Sequence, residues 1–425
     1  MAARTFQLIS FGCKVNQAEG ESLVRRLLEA GLEEAPADRP ADLVILNTCA
    51  VTAEAARQCR QGIRRAVRAG AAVVVTGCGA HPAARDAAMA GIPGVLFLEP
   101  DKGRVAARLT APSAPRQYTG GEQAPGAARS RALLKVQDGC PAACAYCIVP
   151  KVRPTLRSMP PEDAARRVGE LAAAGFREIV LCGIRLGLYG ADLGPRVGLA
   201  DLLERLLAVP GLGRLRLSSL EPMEVNDRLL ALLAAEPDRL CPHLHLPLQS
   251  GDDEVLRRMG RPYTSADYLA VAARVRRALD CPAVTTDVLV GFPGETDAAF
   301  AATLRVSREA GFSRIHVFPF SGRPGTAAAG MQPQVPPNVI RARRAEAGAL
   351  GKALAAAYRA GLVGRTAEVI VEAVAPDGSA DGLSERYVRV RIRGPLPAGV
   401  RRRDLVAVRL VAAADGFLAA EAGVD

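Results

Sequence analysis

The sequence predicts an α/β protein in three parts: an N-terminal doubly wound parallel sheet, a central partial (β/α)6 barrel, and a small C-terminal antiparallel β-barrel of oligonucleotide-binding type. Three observations carry this. Apolar runs alternate with helical periodicity over roughly the first 110 residues. From 132 to about 320, six further strand-like runs recur with helices between them. Beyond 365 the pattern changes to period two, broken by Gly, Pro and Asp.

In the first part FQLISFG, a helix carrying Val24, Leu27 and Leu28, LVILN, a second helix and AVVVTG follow one another, the order of parallel βαβ units. Residues 111–131, APSAPRQYTGGEQAPGAARSR, lack periodicity and read as a linker. ALLKVQ, REIVLCG, RLRLSS, LHLPLQ, TTDVLVGF and RIHVFPF then give six βα repeats, short of a closed eight-stranded barrel, with ligands expected at the C-terminal strand ends. An Ala/Arg-rich helix, roughly Asn338 to Tyr358, leads into RTAEVIVEAV, RYVRVRI and LVAVRLV. The expected domains are 1–115, 126–360 and 361–425.

A chain of 425 residues, 49% hydrophobic and 23% charged, is neither a single small module nor a disordered segment. Its longest apolar stretches, such as 43–46 and 71–75, fall far short of the roughly 20 residues of a membrane span. The opening MAARTFQLISFGC lacks the parts of a secretory signal, so a cytoplasmic protein is expected. The net charge of +11 favours polyanionic partners, although the scarcity of Lys reads as genomic composition bias and not as arginine chemistry. Ten cysteines without a secretory signal read as metal or catalytic ligands before disulfides.

Cys140, Cys144 and Cys147 stand in GCPAACAYC, directly after ALLKVQ. Such closely spaced thiolates can face one metal cluster. Structural zinc wants four closed ligands, and the next cysteine along the chain is Cys182. A four-iron four-sulfur cluster held by three thiolates leaves one iron open. Cys13 in FGCKVNQAE, Cys49 in NTCAVT and Cys78 in TGCGAH each end one strand of the first part. Parallel strands share one C-terminal edge, so these three thiolates are expected to converge. Cys59, Cys182, Cys241 and Cys281 show no such pattern and read as structural.

CxxxCxxC at the end of the first strand of a partial barrel resembles the signature of the radical S-adenosylmethionine (SAM) superfamily. That resemblance implies an open iron chelated by SAM and reductive cleavage of SAM to a 5′-deoxyadenosyl radical. The whole layout resembles the methylthiotransferase family, with its N-terminal three-Cys domain, radical SAM barrel and C-terminal TRAM domain. GCKVNQAE, NTCAVT, GCGAH, LCGIRLGLYG, RLSSLEP, HLHLPLQSGDDEVLRRMGRPYT, TDVLVGFPGET and HVFPFSGRPGT carry it across the chain. It implies two 4Fe-4S clusters, the auxiliary one on Cys13, Cys49 and Cys78 supplying or relaying sulfur. It further implies SAM as cofactor, the tRNA anticodon loop as partner, and an electron donor such as flavodoxin or ferredoxin. The chain departs from the family pattern at Pro154, where Gly is usual, and at Arg185, where a small amide is common.

CKVNQ, CAVT and GLSERYVRV look most like the branch acting on N6-threonylcarbamoyladenosine in tRNA. The isopentenyladenosine branch and the ribosomal-protein aspartate branch are the rivals. An iron–sulfur electron carrier with an RNA-binding tail is the non-enzymatic alternative, which a barrel with several polar strand-end motifs disfavours.

Further candidates lie at other strand ends. In DVLVGFPGET, Asp287, Gly291 and Pro293 begin a strand–turn–helix unit whose N–H groups can hold a polar cofactor group, although an ordinary turn uses similar residues. Gln249, Ser250 and Gly251 are expected to contact SAM at the barrel mouth, and Glu221 has the same placement, with a helix cap as the simpler reading. His243 and His245 alternate on one strand; they and His316 read as hydrogen-bonded core histidines. The stretch 386–409 holds eight Arg and one acid, Asp404, with Tyr387 beside the first Arg, and is expected to touch RNA phosphates. Removing residues 365–425 is expected to spare SAM cleavage.

Overall fold

The computed structural model describes residues 5–109 and 129–423 apart from 37, 52, 85–88, 90, 196 and 395; most of the stretch read as a linker lies outside them. The chain divides into two compact units. The first comprises 1–128, 139–155 and 321–329, and the second 129–138, 156–320 and 330–425.

In the first unit, β1 (Thr5–Ser10), β2 (Glu33–Glu34), β3 (Leu43–Thr48), β4 (Ala72–Gly77) and β5 (Val95–Glu99) form a parallel sheet of order β2-β1-β3-β4-β5. β3 is buried throughout because helices cover both faces. Val44, Leu46, Val73 and Val75 pack against Cys59 and Ile63 of helix Ala53–Arg68. Phe6, Leu43, Ile45 and Val74 pack against Leu23, Val24 and Leu27 of helix Lys14–Glu29. This is the doubly wound arrangement that the alternating pattern predicts.

In the second unit all six expected barrel strands are present. They are β6 (Ala132–Lys135), then, after the short pair β7 (Gln137–Asp138) and β8 (Arg157–Ser158), β9 (Glu178–Cys182), β10 (Arg214–Leu217), β11 (His243–His245), β12 (Ala283–Val290) and β13 (Arg314–Pro319). They form two parallel three-stranded sheets, β6-β9-β10 and β11-β12-β13, joined by the bridges Leu215–Leu240 and Ser219–His245. β11 is three residues long, shorter than the LHLPLQ run, because Pro247 has no N–H for a ladder.

The tail is a closed barrel of β14 (Thr366–Val374), β15 (Ala380–Ser384), β16 (Arg389–Arg393), β17 (Leu405–Ala413) and β18 (Leu418–Ala422), in the order β14-β15-β16-β18-β17. Its β16–β18 seam is parallel, a departure from the all-antiparallel expectation. β15 (ADGLS) and β18 (LAAEA) escape the sequence reading because their small and acidic residues carry little strand propensity.

A buried ionic cluster joins the tail to the partial barrel. In β10, Leu215 and Leu217 face the core, and the alternate residues Arg214 and Arg216 face the tail, fully buried. Both guanidiniums donate to Glu178 of β9, at 2.8 and 2.7 Å. Arg214 also donates to the carbonyls of Glu368 and Leu383, and Arg216 to those of Ser384 and Glu385. Removing residues 365–425 would therefore strip partners from two buried cations, so the expectation that the barrel tolerates this deletion is withdrawn.

Candidate active site

The cysteines of the first unit occupy three adjacent strand ends. Cys13 caps the helix that follows β1, Cys49 follows β3 directly, and Cys78 follows β4 and opens a 3-10 turn. Buried amides and a hydroxyl bind these ends together. The Asn16 side chain donates to the carbonyls of Phe11 at 2.7 Å and Thr48 at 3.2 Å, while Asn47 donates back to the Asn16 carbonyl at 2.6 Å. The Thr48 hydroxyl donates to the Thr76 carbonyl at 2.6 Å. Sequence reasoning missed these clamps, although the Asn of CKVNQ and of NTC was in view.

Two glycines permit the close approach. A Cβ on Gly12 would lie 2.7 Å from Cys49 Sγ, and one on Gly77 would lie 2.6 Å from Asn47 Oδ1; both residues have positive φ. Burial pushes the Cys49 thiol up to about 12, a cost reinforced by Cys13 and Cys78 nearby. Burial raises Cys13 as well, and neighbouring thiols of this kind suit a cation that replaces their protons. The donor set fits an iron–sulfur cluster.

Cys140, Cys144 and Cys147 lie in an extended loop of this same unit, each half-buried. Cys147 N–H donates to the Cys144 carbonyl at 3.0 Å, and Ala328 N–H to the Ala145 carbonyl at 2.8 Å, which fixes the turn between the second and third cysteines. Ile148 and Val152 pack on Ala50, the residue after Cys49, with Cys78 beside them. The two triads thus share one compact unit, a grouping their separation in sequence conceals. Cys59, Cys182 and Cys241 are buried, as expected of structural residues.

The second unit places the other candidates differently from one another. Asp287 lies between two histidines, with His245 Nε2 at 3.4 Å and His316 Nδ1 at 3.2 Å from its carboxylate oxygens. Burial alone would raise its pKa, yet hydrogen bonds and charge from the two rings hold the carboxyl well below the usual range. The three groups sit on neighbouring strands, with Asp287 directly opposite His316 in register. His243 fits the core reading, since it stacks on Tyr387 at 4.6 Å and meets Thr285 Oγ1 at 3.1 Å. For His245 and His316 that reading is incomplete: both join a partly exposed acid.

Gln249 adopts φ 66°, unusual for a side chain of its kind, while its N–H and carbonyl pair with Asp287 and Leu289 of β12. Ser250 and Gly251 turn inward. The Ser250 hydroxyl lies 3.3 Å from Thr303 Oγ1, and Gly251 N–H donates to that same oxygen at 2.9 Å. A Cβ on Gly251 would strike the Ala302 carbonyl at 2.7 Å, so close packing against the helix requires glycine here. The DVLVGFPGET turn likewise satisfies itself. Gly291 N–H donates to the buried Glu295 carboxylate and Gly294 N–H to the Pro333 carbonyl, while Pro293 is buried. The N–H groups of Gly291 and Gly294 are thus paired within the protein, as an ordinary β-to-α turn pairs them. Glu221 caps the 3-10 turn Pro222–Glu224 and pairs with buried Arg261, the structural reading.

In the tail, Arg386 pairs with Glu385 and Asp280, and Tyr387 is held against His243. Arg402 donates to Ser130, and Arg403 lies 4.0 Å from the centre of the Phe176 ring. These residues hold the tail to the barrel. Arg389, Arg393 and Arg409 instead project outward from β16 and β17, although Glu421 of β18 pairs in register with both Arg393 and Arg409.

Residues 134–306 match the radical SAM superfamily, and residues 5–95 match the uncharacterized protein family UPF0004. The chain is 36% identical over 400 residues to the threonylcarbamoyladenosine tRNA methylthiotransferase MtaB of Thermotoga maritima, covering 91% of each chain. It is 35% identical over 389 residues to the tRNA-2-methylthio-N(6)-dimethylallyladenosine synthase of Acidothermus cellulolyticus, covering 87% of this chain and 77% of that one. Among solved structures, the radical SAM methyltransferase TsrM of Kitasatospora setae aligns with a TM-score of 0.52 at 18% identity over 77% of each chain, a likeness of fold.

Proposed function

The chain belongs to the radical SAM methylthiotransferase family, and from that premise we infer that it adds a methylthio group to carbon 2 of N6-threonylcarbamoyladenosine beside the tRNA anticodon. Membership brings SAM and four-iron four-sulfur clusters as cofactors. The observation that carries the reading is the convergence of Cys13, Cys49 and Cys78 on one sheet edge, in addition to the CxxxCxxC loop. A radical SAM enzyme that only generates a radical needs one cluster; a second thiolate triad suits sulfur insertion.

In this reading Cys140, Cys144 and Cys147 hold the cluster that supplies the electron for SAM cleavage, and Cys13, Cys49 and Cys78 hold the auxiliary one. One SAM serves as methyl donor and another as radical source, with flavodoxin or ferredoxin as reductant. Gln249 and the His245–Asp287–His316 group are strand-end residues placed to meet cofactor or substrate, with Ser250, Gly251, Glu221, Gly291 and Pro293 beside them as further candidates. The division 1–115, 126–360 and 361–425 assigns these tasks to an auxiliary-cluster domain, a radical SAM domain and an RNA-binding TRAM domain. No helix among the described residues is long and apolar enough to cross a membrane.

Mass spectrometry of tRNA nucleosides from a deletion strain tests the substrate. The 2-methylthio form of threonylcarbamoyladenosine should disappear and its precursor accumulate. Loss of the methylthio isopentenyl nucleoside instead would transfer the protein to the other branch, the reading that the Acidothermus relative favours.

The RNA-binding role of the tail is tested on its exposed arginines. Replacing Arg389, Arg393 and Arg409 with Ala should weaken tRNA binding and lower the salt slope by about 1 for each phosphate that is no longer neutralised. SAM cleavage should persist. Arg402 and Arg403 are left unchanged because both have structural partners. An unchanged affinity and slope would remove the tail from RNA anchoring.

A further inference from the structure

Arg153 touches both cysteine loops of the first unit. Its carbonyl accepts from Cys140 N–H at 3.0 Å, and its Nε donates to Cys78 Sγ at 3.3 Å. The remaining guanidinium nitrogens are clamped by Glu19, with Nη1 at 2.7 Å and Nη2 at 2.8 Å from its two carboxylate oxygens. Glu19 in turn takes Lys102 Nζ at 2.7 Å, and Lys102 reaches Asn16 Oδ1 at 3.3 Å, the residue that ties the Cys13 loop to the end of β3. Arg153, Glu19 and Lys102 are each only 11–12% exposed at the side chain, so solvent screens this chain of charges weakly.

We propose that Arg153 is a positioning residue shared by the two cysteine loops: its carbonyl holds the Cys140 loop, and its guanidinium raises the reduction potential of the cluster on Cys13, Cys49 and Cys78. The inference rests on the ligand reading above and deepens it. Hydrogen bonds to the sulfurs and the local charge are among the protein's levers on cluster potential. An N–H···S bond from a cation favours the reduced cluster, which carries one more negative charge. Glu19 works in both directions. It aims the guanidinium at Cys78 through two bonds, a geometry that Lys cannot reproduce, and its own charge offsets part of that cation's field.

The test uses the full chain with Cys140, Cys144 and Cys147 replaced by Ala, which leaves the auxiliary cluster alone. Iron content is measured first, followed by a redox titration monitored by electron paramagnetic resonance. R153Q should lower the reduced-to-oxidised ratio at a fixed potential about tenfold, a shift of about 59 mV for one electron, with R153K falling between it and the parent. E19Q keeps the cation and removes its counter-charge, so its shift should have the opposite sign. A merely structural role would move both variants the same way or neither, and either outcome overturns the proposal. Absence of iron from the Cys-to-Ala parent would overturn the ligand assignment and this inference with it; iron retained with unmoved potentials would overturn the role of Arg153 alone.

Discussion

Replacing Cys140, Cys144 and Cys147 with Ala is expected to halve the iron taken up on anaerobic reconstitution and to abolish 5′-deoxyadenosine release. Replacing Cys13, Cys49 and Cys78 should also halve the iron, yet leave part of the SAM cleavage intact. The asymmetry follows from the assignment of SAM to one loop. In the proposed reading SAM is chelated at the CxxxCxxC cluster, within the residues that match the radical SAM superfamily, whereas the other triad, within the residues that match UPF0004, lies at the edge of the N-terminal sheet. Cleavage persists only in part because both triads are built into one compact unit, where Cys49 is buried and Ala50 packs on the Cys147 loop. Loss of one cluster must therefore be felt by the other loop. Iron and 5′-deoxyadenosine measured on the same preparations check this, and full iron content in either triple variant would show the ligands to be misassigned.

Replacing Glu178 with Ala is expected to destabilise the second unit by about 3–5 kcal/mol, the usual consequence of stranding a buried charge. Arg214 and Arg216 are fully buried against the same carboxylate; without it Arg216 keeps only backbone carbonyls, and Arg214 keeps the partly exposed Glu368 carboxylate at 3.1 Å. Burial alone would raise the pKa of Glu178, but the neighbouring Arg216 and Arg214 prevail and hold the carboxyl far below its ordinary value. An unfolded chain takes up that proton at about pH 4 while the folded chain does not. The pair's contribution is thus fully present above that pH and declines as acid is added toward the folded pKa. Urea unfolding of wild type, E178A and E178Q at neutral pH and near pH 4 measures it. The neutral-pH gap between wild type and E178Q should narrow at the lower pH. A loss below about 1 kcal/mol in E178A would mean that the cluster contributes nothing to holding the tail.

These two sites differ in how far local pattern announces them. Six barrel strands and the doubly wound sheet were legible because periodicity reports which face of a segment meets a core, whatever that core turns out to be. The convergence of Cys13, Cys49 and Cys78 was legible for a related reason: parallel strands bring their C-terminal ends to one edge. The length of β11 and the two weak tail strands were less so, because a proline and a run of small residues blur the signal.

Partnership is another matter. RLRLSS announces a strand with arginines on one face, but only folding shows those arginines sealed against Glu178 and the tail and not facing a polyanion. SG and GFPGET look like loops with free N–H groups until Thr303 and Glu295 are seen to bond Gly251 and Gly291. His245 and His316 look like core residues until Asp287 is found between them. Strand register and cysteine spacing are properties of short segments and survive in the linear chain. The partner that satisfies a buried charge, amide or imidazole comes from a segment tens to hundreds of residues away, and only the packed chain selects it.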